Sequence, residues 1–346
     1  MNKKVLSFLM MFCILASNTS NVNATTSTDT NGEELGINLS VVSEIFPEAY
    51  VEKEYWDLSN CKISVIDQKI VSNSKEVNNK LEEINSNPDS VKDISEKMDD
   101  DTFLYGIASA SVYVKEKVEL QEDGSYKCIE SRLLSKEELD SEIYLNLNNS
   151  LSSRAMTENP KLDSYGKLTI RLYVYQDTVS RGVQYILSGN AYWSNYGSNN
   201  AATKGDDVMA LYWGGSYDYK NYGQSIVNSS NDSLAYDFND DIRIIDQTPN
   251  GGIVWQFPEY KMYLLTPYYA KQITVGATIF KNTLTGSGNT TGVVLKYIHT
   301  YEKHDAEAQL SVTVNGNGSY TGTLTLQGNT TIAQWPLTVS VNGLVF

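Results

Sequence analysis

Histidine is almost missing from this chain: there are two in 346 residues, His299 and His304. A serine triad would have to draw on one of them, and no Gly-x-Ser-x-Gly elbow exists to hold its nucleophile. On a strand, an offset of five residues sends two rings to opposite faces, so a zinc site built on both histidines, with or without Glu302, needs a turn between them. The pair therefore reads as a solvated strand end. Neither a metal nor a cofactor is expected.

Cysteine is nearly as scarce, with Cys13, Cys61 and Cys128. Cys13 sits inside an apolar run behind Met10, Met11 and Phe12, without the small residues that precede a lipid-bearing cysteine. Cys61 and Cys128 remain, and an even pair in an exported chain suggests a disulfide, worth about 4 kcal/mol on the chain-entropy estimate. Two free, buried thiols are the alternative. Both lie outside the histidine-bearing half, so a cysteine nucleophile is poorly supported.

Long hydrophobic runs are also lacking. The one candidate, Val5 to Ala16, follows Lys3 and Lys4 and leads to the small-residue site Val22-Asn23-Ala24. A bilayer span needs about twenty apolar residues, so 1–24 reads as a secretory signal peptide and not as a transmembrane segment. The mature protein is expected to start at Thr25 and to be secreted or held non-covalently at the cell surface.

Positive charge is in deficit as well: 27 Lys and Arg face 42 Asp and Glu, a net charge of −15. Phosphate recognition depends on basic side chains, so nucleic acid is excluded as a natural partner, and simple docking on anionic lipid is disfavoured. The imbalance is local. Residues 25–160 hold 28 acidic and 13 basic residues, whereas 161–346 hold 14 and 12. Tyrosine and tryptophan concentrate after residue 160, which marks that half as the stronger β candidate. The expected division is a disordered leader at 25–38, an acidic α+β domain at 39–160 and a Tyr/Trp-rich all-β domain at 161–346.

The patterning fills in this outline. Pro47 interrupts or begins a short helix within 39–56, and Ile63, Val65, Ile66, Ile70 and Val71 suggest one strand. Helical spacing follows at Val77, Leu81 and Ile84, and again over 90–98. Residues 107–120 read as a strand that turns at Asp123-Gly124 into 126–134, and Ser135 with Glu138 forms a capping box for a third helix. From Leu168 onward, apolar and polar residues alternate between turn signals over about ten strands. The expected fold is an α+β N-terminal region followed by a mainly antiparallel sandwich or barrel-like domain.

Three functional readings follow. The segment 192–222 interleaves aromatic rings with short polar side chains, as a sugar-binding surface does, although aromatics on strands more often pack in a core. Trp193 and Trp213 are the best anchors there, with Tyr192 beside them and Asn195, Asp206 and Asp207 as hydrogen-bonding groups. The first reading is thus an exported, non-catalytic protein that recognises an extracellular glycan or a surface protein. A secreted carbohydrate-active hydrolase using two carboxylates is the second. The third is a β-pore-forming protein, for which 271–300, folded at 286–289, is the candidate hairpin. Asp237-Phe238-Asn239-Asp240-Asp241 opens like a calcium loop, but Ile242 stands where an EF-hand needs glycine and Thr248 where it needs glutamate. N-terminal sequencing of exported material should begin at Thr25, and a first residue inside the folded region would contradict cleavage after Ala24.

Overall fold

The computed structural model describes residues 22–24, 48–120, 126–146, 161–179, 182–194, 206–214, 217–228, 241–248, 251–263, 266–281, 290–300, 307–314, 320–327 and 334–346. Before residue 160 lie β1 (Val22–Ala24), β2 (Val51–Asp57), β3 (Ile63–Ile66), β4 (Lys69–Ser72), α1 (Lys75–Asn85), α2 (Pro88–Lys97), β5 (Thr102–Leu120), β6 (Tyr126–Leu133) and α3 (Lys136–Asn146). Then come β7 (Lys161–Val179), β8 (Gly182–Ser194), β9 (Asp206–Trp213), β10 (Tyr217–Asn228), β11 (Arg243–Thr248), β12 (Gly252–Pro258) and β13 (Tyr260–Tyr263). The chain closes with β14 (Thr266–Lys281), β15 (Thr290–Thr300), β16 (Glu307–Val314), β17 (Tyr320–Gln327) and β18 (Gln334–Val345).

Two large antiparallel sheets face each other, as the alternating pattern predicts. One runs β10-β14-β8-β7-β5-β2, with β13 added to β14 and β6 to β5; the other runs β11-β12-β9-β15-β18. Their inner faces interdigitate through residues at period two, such as Leu168, Ile170, Leu172 and Val174 of β7 against Leu295 and Leu337 of the smaller sheet. The approach is close at Gly189 of β8, where a Cβ would lie 2.4 Å from Leu295 Cδ1. Two thinner layers cover the outer faces. Helices α1 and α2 and the β3–β4 hairpin bury Leu81, Ile84, Val91 and Ile94 against Tyr173 and Tyr175 of the larger sheet. The β16–β17 hairpin contacts β9, β11 and β12 of the smaller one.

Local expectations fare unevenly. Ser135 and Glu138 form the reciprocal capping box of α3, each side chain accepting the other's backbone N–H at 3.1 and 3.2 Å. The strand expected over 63–71 is instead the hairpin β3–β4, because Asp67 and Gln68 both take positive φ in its two-residue turn. Residues 51–57, read as part of a helix, form edge strand β2 on β5. The leader 25–38 and the start of the expected helix lie outside the described residues.

The boundary expected at residue 160 runs through a sheet. Strands β5 and β7, on its two sides, pair from Thr102↔Asp177 to Glu119↔Lys161, with one register shift between Leu104 and Gly106. The charge contrast on which that boundary rested is real, but it does not follow the sheets, because both halves contribute strands to the sandwich. A fragment of residues 161–346 should therefore fail to fold alone, since β7 loses its partner and a row of backbone groups is left unpaired. Circular dichroism and size-exclusion chromatography of that fragment test this, and a soluble, cooperatively melting monomer would count against it.

Candidate functional site

At one end of the sandwich interior the apolar pattern gives way to a cluster of ionisable groups. His299 near the end of β15 is fully buried, with its Nδ1 3.1 Å from Glu259 Oε1 and 3.3 Å from Asp207. Its Nε2 faces the opposite sheet, 3.2 Å from Glu116 Oε1 of β5. The Tyr297 hydroxyl donates to Asp207 Oδ2 and lies 3.5 Å from Glu259 Oε1, and the Thr300 N–H donates to Asp207 Oδ1 at 2.8 Å. Aromatic rings wall the imidazole: Trp335 at 4.8 Å and Trp193 at 5.4 Å between centroids. Trp335 Nε1–H in turn donates to Ser131 Oγ, which lies 3.4 Å from Glu116 Oε1.

The strands dictate this convergence. Val293, Leu295, Tyr297 and His299 share the inward face of β15, and Ala108, Ala110, Val112, Val114 and Glu116 share that of β5. Burial then sets the electrostatics. It raises the Asp207 carboxyl well above the ordinary carboxylate range, and Glu259 adds to the effect against an opposing pull from His299. For His299, burial opposes the charged form, but Glu259 and Asp207 together outweigh it and hold the imidazole's proton affinity well above normal. Burial, followed by the charges of Asp207 and Glu259, likewise raises the Tyr297 hydroxyl. Beside the cluster lies a cavity of about 10 Å³ bordered by Glu259, Tyr297, Trp193, Phe257 and Gln272. That is room for about one water and not for a sugar ring.

The residues expected to bind ligand are not gathered on one surface. Trp193 faces the sandwich interior at 8% exposure, while Trp213 is wholly buried with its Nε1–H donating to Tyr217 O at 2.9 Å. As stacking anchors both are corrected to core residues. Tyr192 points to the opposite side of β8 from Trp193, under the Arg171 guanidinium at 5.1 Å, and donates to Glu83 Oε1. Asp206 is half-buried and paired with Arg243 at 3.1 Å, and Asp207 belongs to the buried cluster. Asn195, His304 and residues 229–240 lie outside the described residues. The solvated strand end expected around His299 is also corrected, because the inward face of β15 continues through it. The expected disulfide is absent as well. Cys61 and Cys128 are free thiols, Cys61 against the helical layer and Cys128 buried on β6, where burial pushes its thiol pKa up.

A second feature is built from backbone register. In the β16–β17 hairpin, Ala308 pairs with Leu326, Leu310 with Leu324, Val312 with Gly322 and Val314 with Tyr320. The alternate rungs pair Glu307 with Gln327, Gln309 with Thr325, Ser311 with Thr323 and Thr313 with Thr321. Directly paired residues share a face, so one face is apolar or small and the other is polar with the single charge of Glu307. Leu324, on the first face, is buried with Val208, Ala210, Tyr212, Val254, Val294 and Ile298 of the smaller sheet. The hairpin expected over 271–300 does not exist as one unit, since β14 and β15 lie in different sheets.

No family model and no curated protein sequence matches the chain. Among solved structures it is similar to a chain described as "Pore forming protein", at 11% identity and a TM-score of 0.25, over 51% of this chain and 87% of that one. A likeness at that score carries no argument about activity. Among the described residues no helix is long and apolar enough to cross a membrane, which leaves strands untouched by the statement. For the buried cluster, Tyr297→Phe removes one hydroxyl while keeping the ring, and should destabilise the protein by about 1–3 kcal/mol by leaving buried carboxylate oxygens short of a donor. Urea denaturation measures this, and an unchanged midpoint would show that the hydroxyl contributes nothing.

Proposed function

We propose that the protein is an exported β-pore-forming protein that inserts the β16–β17 hairpin into a target bilayer. The observation that carries this reading is the sorting of the hairpin into one apolar and one Ser/Thr/Gln face by its own register. A barrel strand in a membrane needs that alternation, with lipid on one side and water on the other. An ordinary surface hairpin of an acidic protein would carry charges on its polar face; this one has only Glu307, at its base. Each strand has 8 residues, close to the nine to eleven or so that a tilted membrane strand uses. A lone hairpin has open edges that lipid does not tolerate, so several copies must close a ring.

The attachment of the hairpin supports its release. Among the described residues it is hydrogen-bonded to neither large sheet, and pairs only with β1, through Val22↔Gly322 to Ala24↔Tyr320. Removal of a signal ending at Ala24 would take β1 away and free that edge of β17 for a neighbouring copy. Recognition of an extracellular glycan or surface protein stays as a second reading with a new location. Tyr222, 48% exposed, and half-buried Tyr219 lie 6.2 Å apart beside Asn221, whose positive φ marks a bulge in β10. A hydrolase is less well supported, because the converging carboxylates adjoin a cavity too small for its substrate.

The test uses single cysteines carrying an environment-sensitive dye, placed at 310, 312, 323 and 325 in a chain with Cys61 and Cys128 replaced by Ala. On dye-loaded phosphatidylcholine vesicles, with or without cholesterol, the contents should leak. Labels at 310 and 312 should shift to the blue while those at 323 and 325 remain in water. Absence of leakage together with unchanged spectra at all four positions would overturn the reading.

A further inference from the structure

We infer that Asp207, Glu259 and His299 form a binding site for a divalent transition cation of the zinc type, set inside the sandwich. The donor atoms of the three residues lie within 4.8 Å of one another, and all three residues are buried. The imidazole Nδ1 is 3.1 Å from Glu259 Oε1 and 3.3 Å from Asp207. Metal bonds of about 2.0–2.1 Å place adjacent ligand atoms of a tetrahedron about 3.3 Å apart, which the two separations from the imidazole match. Calcium fits poorly: it takes six to eight or so oxygen ligands at about 2.3–2.6 Å, and here one donor is an imidazole nitrogen.

Two further features are those of a metal site and not merely of an acidic cluster. The other imidazole nitrogen, Nε2, faces the Glu116 carboxylate at 3.2 Å, the outer-shell arrangement that fixes a ligating histidine's tautomer and ring plane. Glu116 comes from β5 in the facing sheet, so the imidazole is held from both sides of the sandwich. The cavity of about 10 Å³ borders Glu259 and Tyr297 and has room for a single water on the Glu259 side of the cluster. Asp207 is pre-oriented for the role, since its second oxygen already accepts the Thr300 N–H at 2.8 Å.

Cobalt(II) substitution tests the inference independently of any membrane activity. The mature chain, stripped by chelator and titrated with Co²⁺, should develop the visible ligand-field bands of a four-coordinate ion, bleached by equimolar Zn²⁺. Zn²⁺ should also raise the thermal midpoint of the stripped protein. Glu259→Gln and Asp207→Asn should lose the bands. Glu116→Gln should keep them with affinity lowered about 10- to 100-fold, as for other outer-shell partners, and His304→Ala should leave them unchanged. Circular dichroism of each variant separates loss of ligand from loss of fold. If wild type gives neither bands nor a Zn²⁺-dependent rise in midpoint, or if Glu259→Gln binds as tightly as wild type, the cluster shares protons and not a metal, and the inference is overturned.

Discussion

The smaller sheet is apolar on both faces, and most of the architecture answers to that constraint. On its inner side Met209, Leu211, Trp213, Ile253, Trp255 and Leu295 meet the larger sheet. On its outer side Val208, Ala210, Tyr212, Val254, Val294 and Ile298 form a second apolar surface on the same strands. Left in water, that surface would cost about 25 cal/mol for each Å² exposed and would invite association. A hairpin that hydrogen-bonds to neither main sheet covers it. The cover is therefore held by burial and not by a ladder, which makes it removable without unpairing either sheet. On the proposed function, its removal would expose two apolar faces together, for a bilayer or neighbouring copies of the chain to accept.

The larger sheet solves a different problem. Its outer face mixes Tyr173 and Tyr175 with polar residues such as Arg171, Asn190 and Ser188, and α1 and α2 lie over it. Polar contacts join the apolar ones across this layer: Arg171 to Glu83, Ser188 to Asp93 at 2.9 Å, and Asn87 to Gln272 at 3.3 Å. Within the layer, Asn78 and Asn85 of α1 each bond a backbone N–H and C=O of β4, at Ser72 and Ile70, and so close the edge of the small hairpin. The first half is thus divided between this outer layer and the sandwich, to which its strands β2, β5 and β6 belong.

What was legible in the sequence follows from which signals are local. Capping at Ser135, the spacing of α1 and the alternation of β7 and β18 depend on a few neighbouring residues, and each stands in the structure as expected. The domain boundary does not, because the partner of β7 is chosen by a ladder to a strand some sixty residues earlier, and composition is silent about pairing. His299 was misplaced for a related reason. Counted from His304 it looks like a strand end, but counted from Val293, Leu295 and Tyr297 it is the next inward residue, just as Glu116 follows Val114. A titratable residue in step with an apolar face was the available signal. The aromatic stretch misled in the opposite direction, since Trp193 and Trp213 alternate with the core and pack there.

The two candidate devices share the same strands from opposite sides. Asp207 of β9, His299 of β15 and Glu259, the residue that follows β12, draw those strands together on the inner face. Val208, Val254 and Ile298, one or a few residues away on the same strands, form the seat of the β16–β17 hairpin on the outer face. Alternation makes this inevitable, because neighbouring residues on a strand serve opposite surfaces. On the proposed function, a sheet that releases its cover would have to keep its shape while that side is bare. Ties among the three central strands, extended to the facing sheet by His299 and Glu116, act on the opposite, inner side. Loosening them would disturb the seat and the sandwich together, whereas loss of the hairpin leaves every one of those contacts in place.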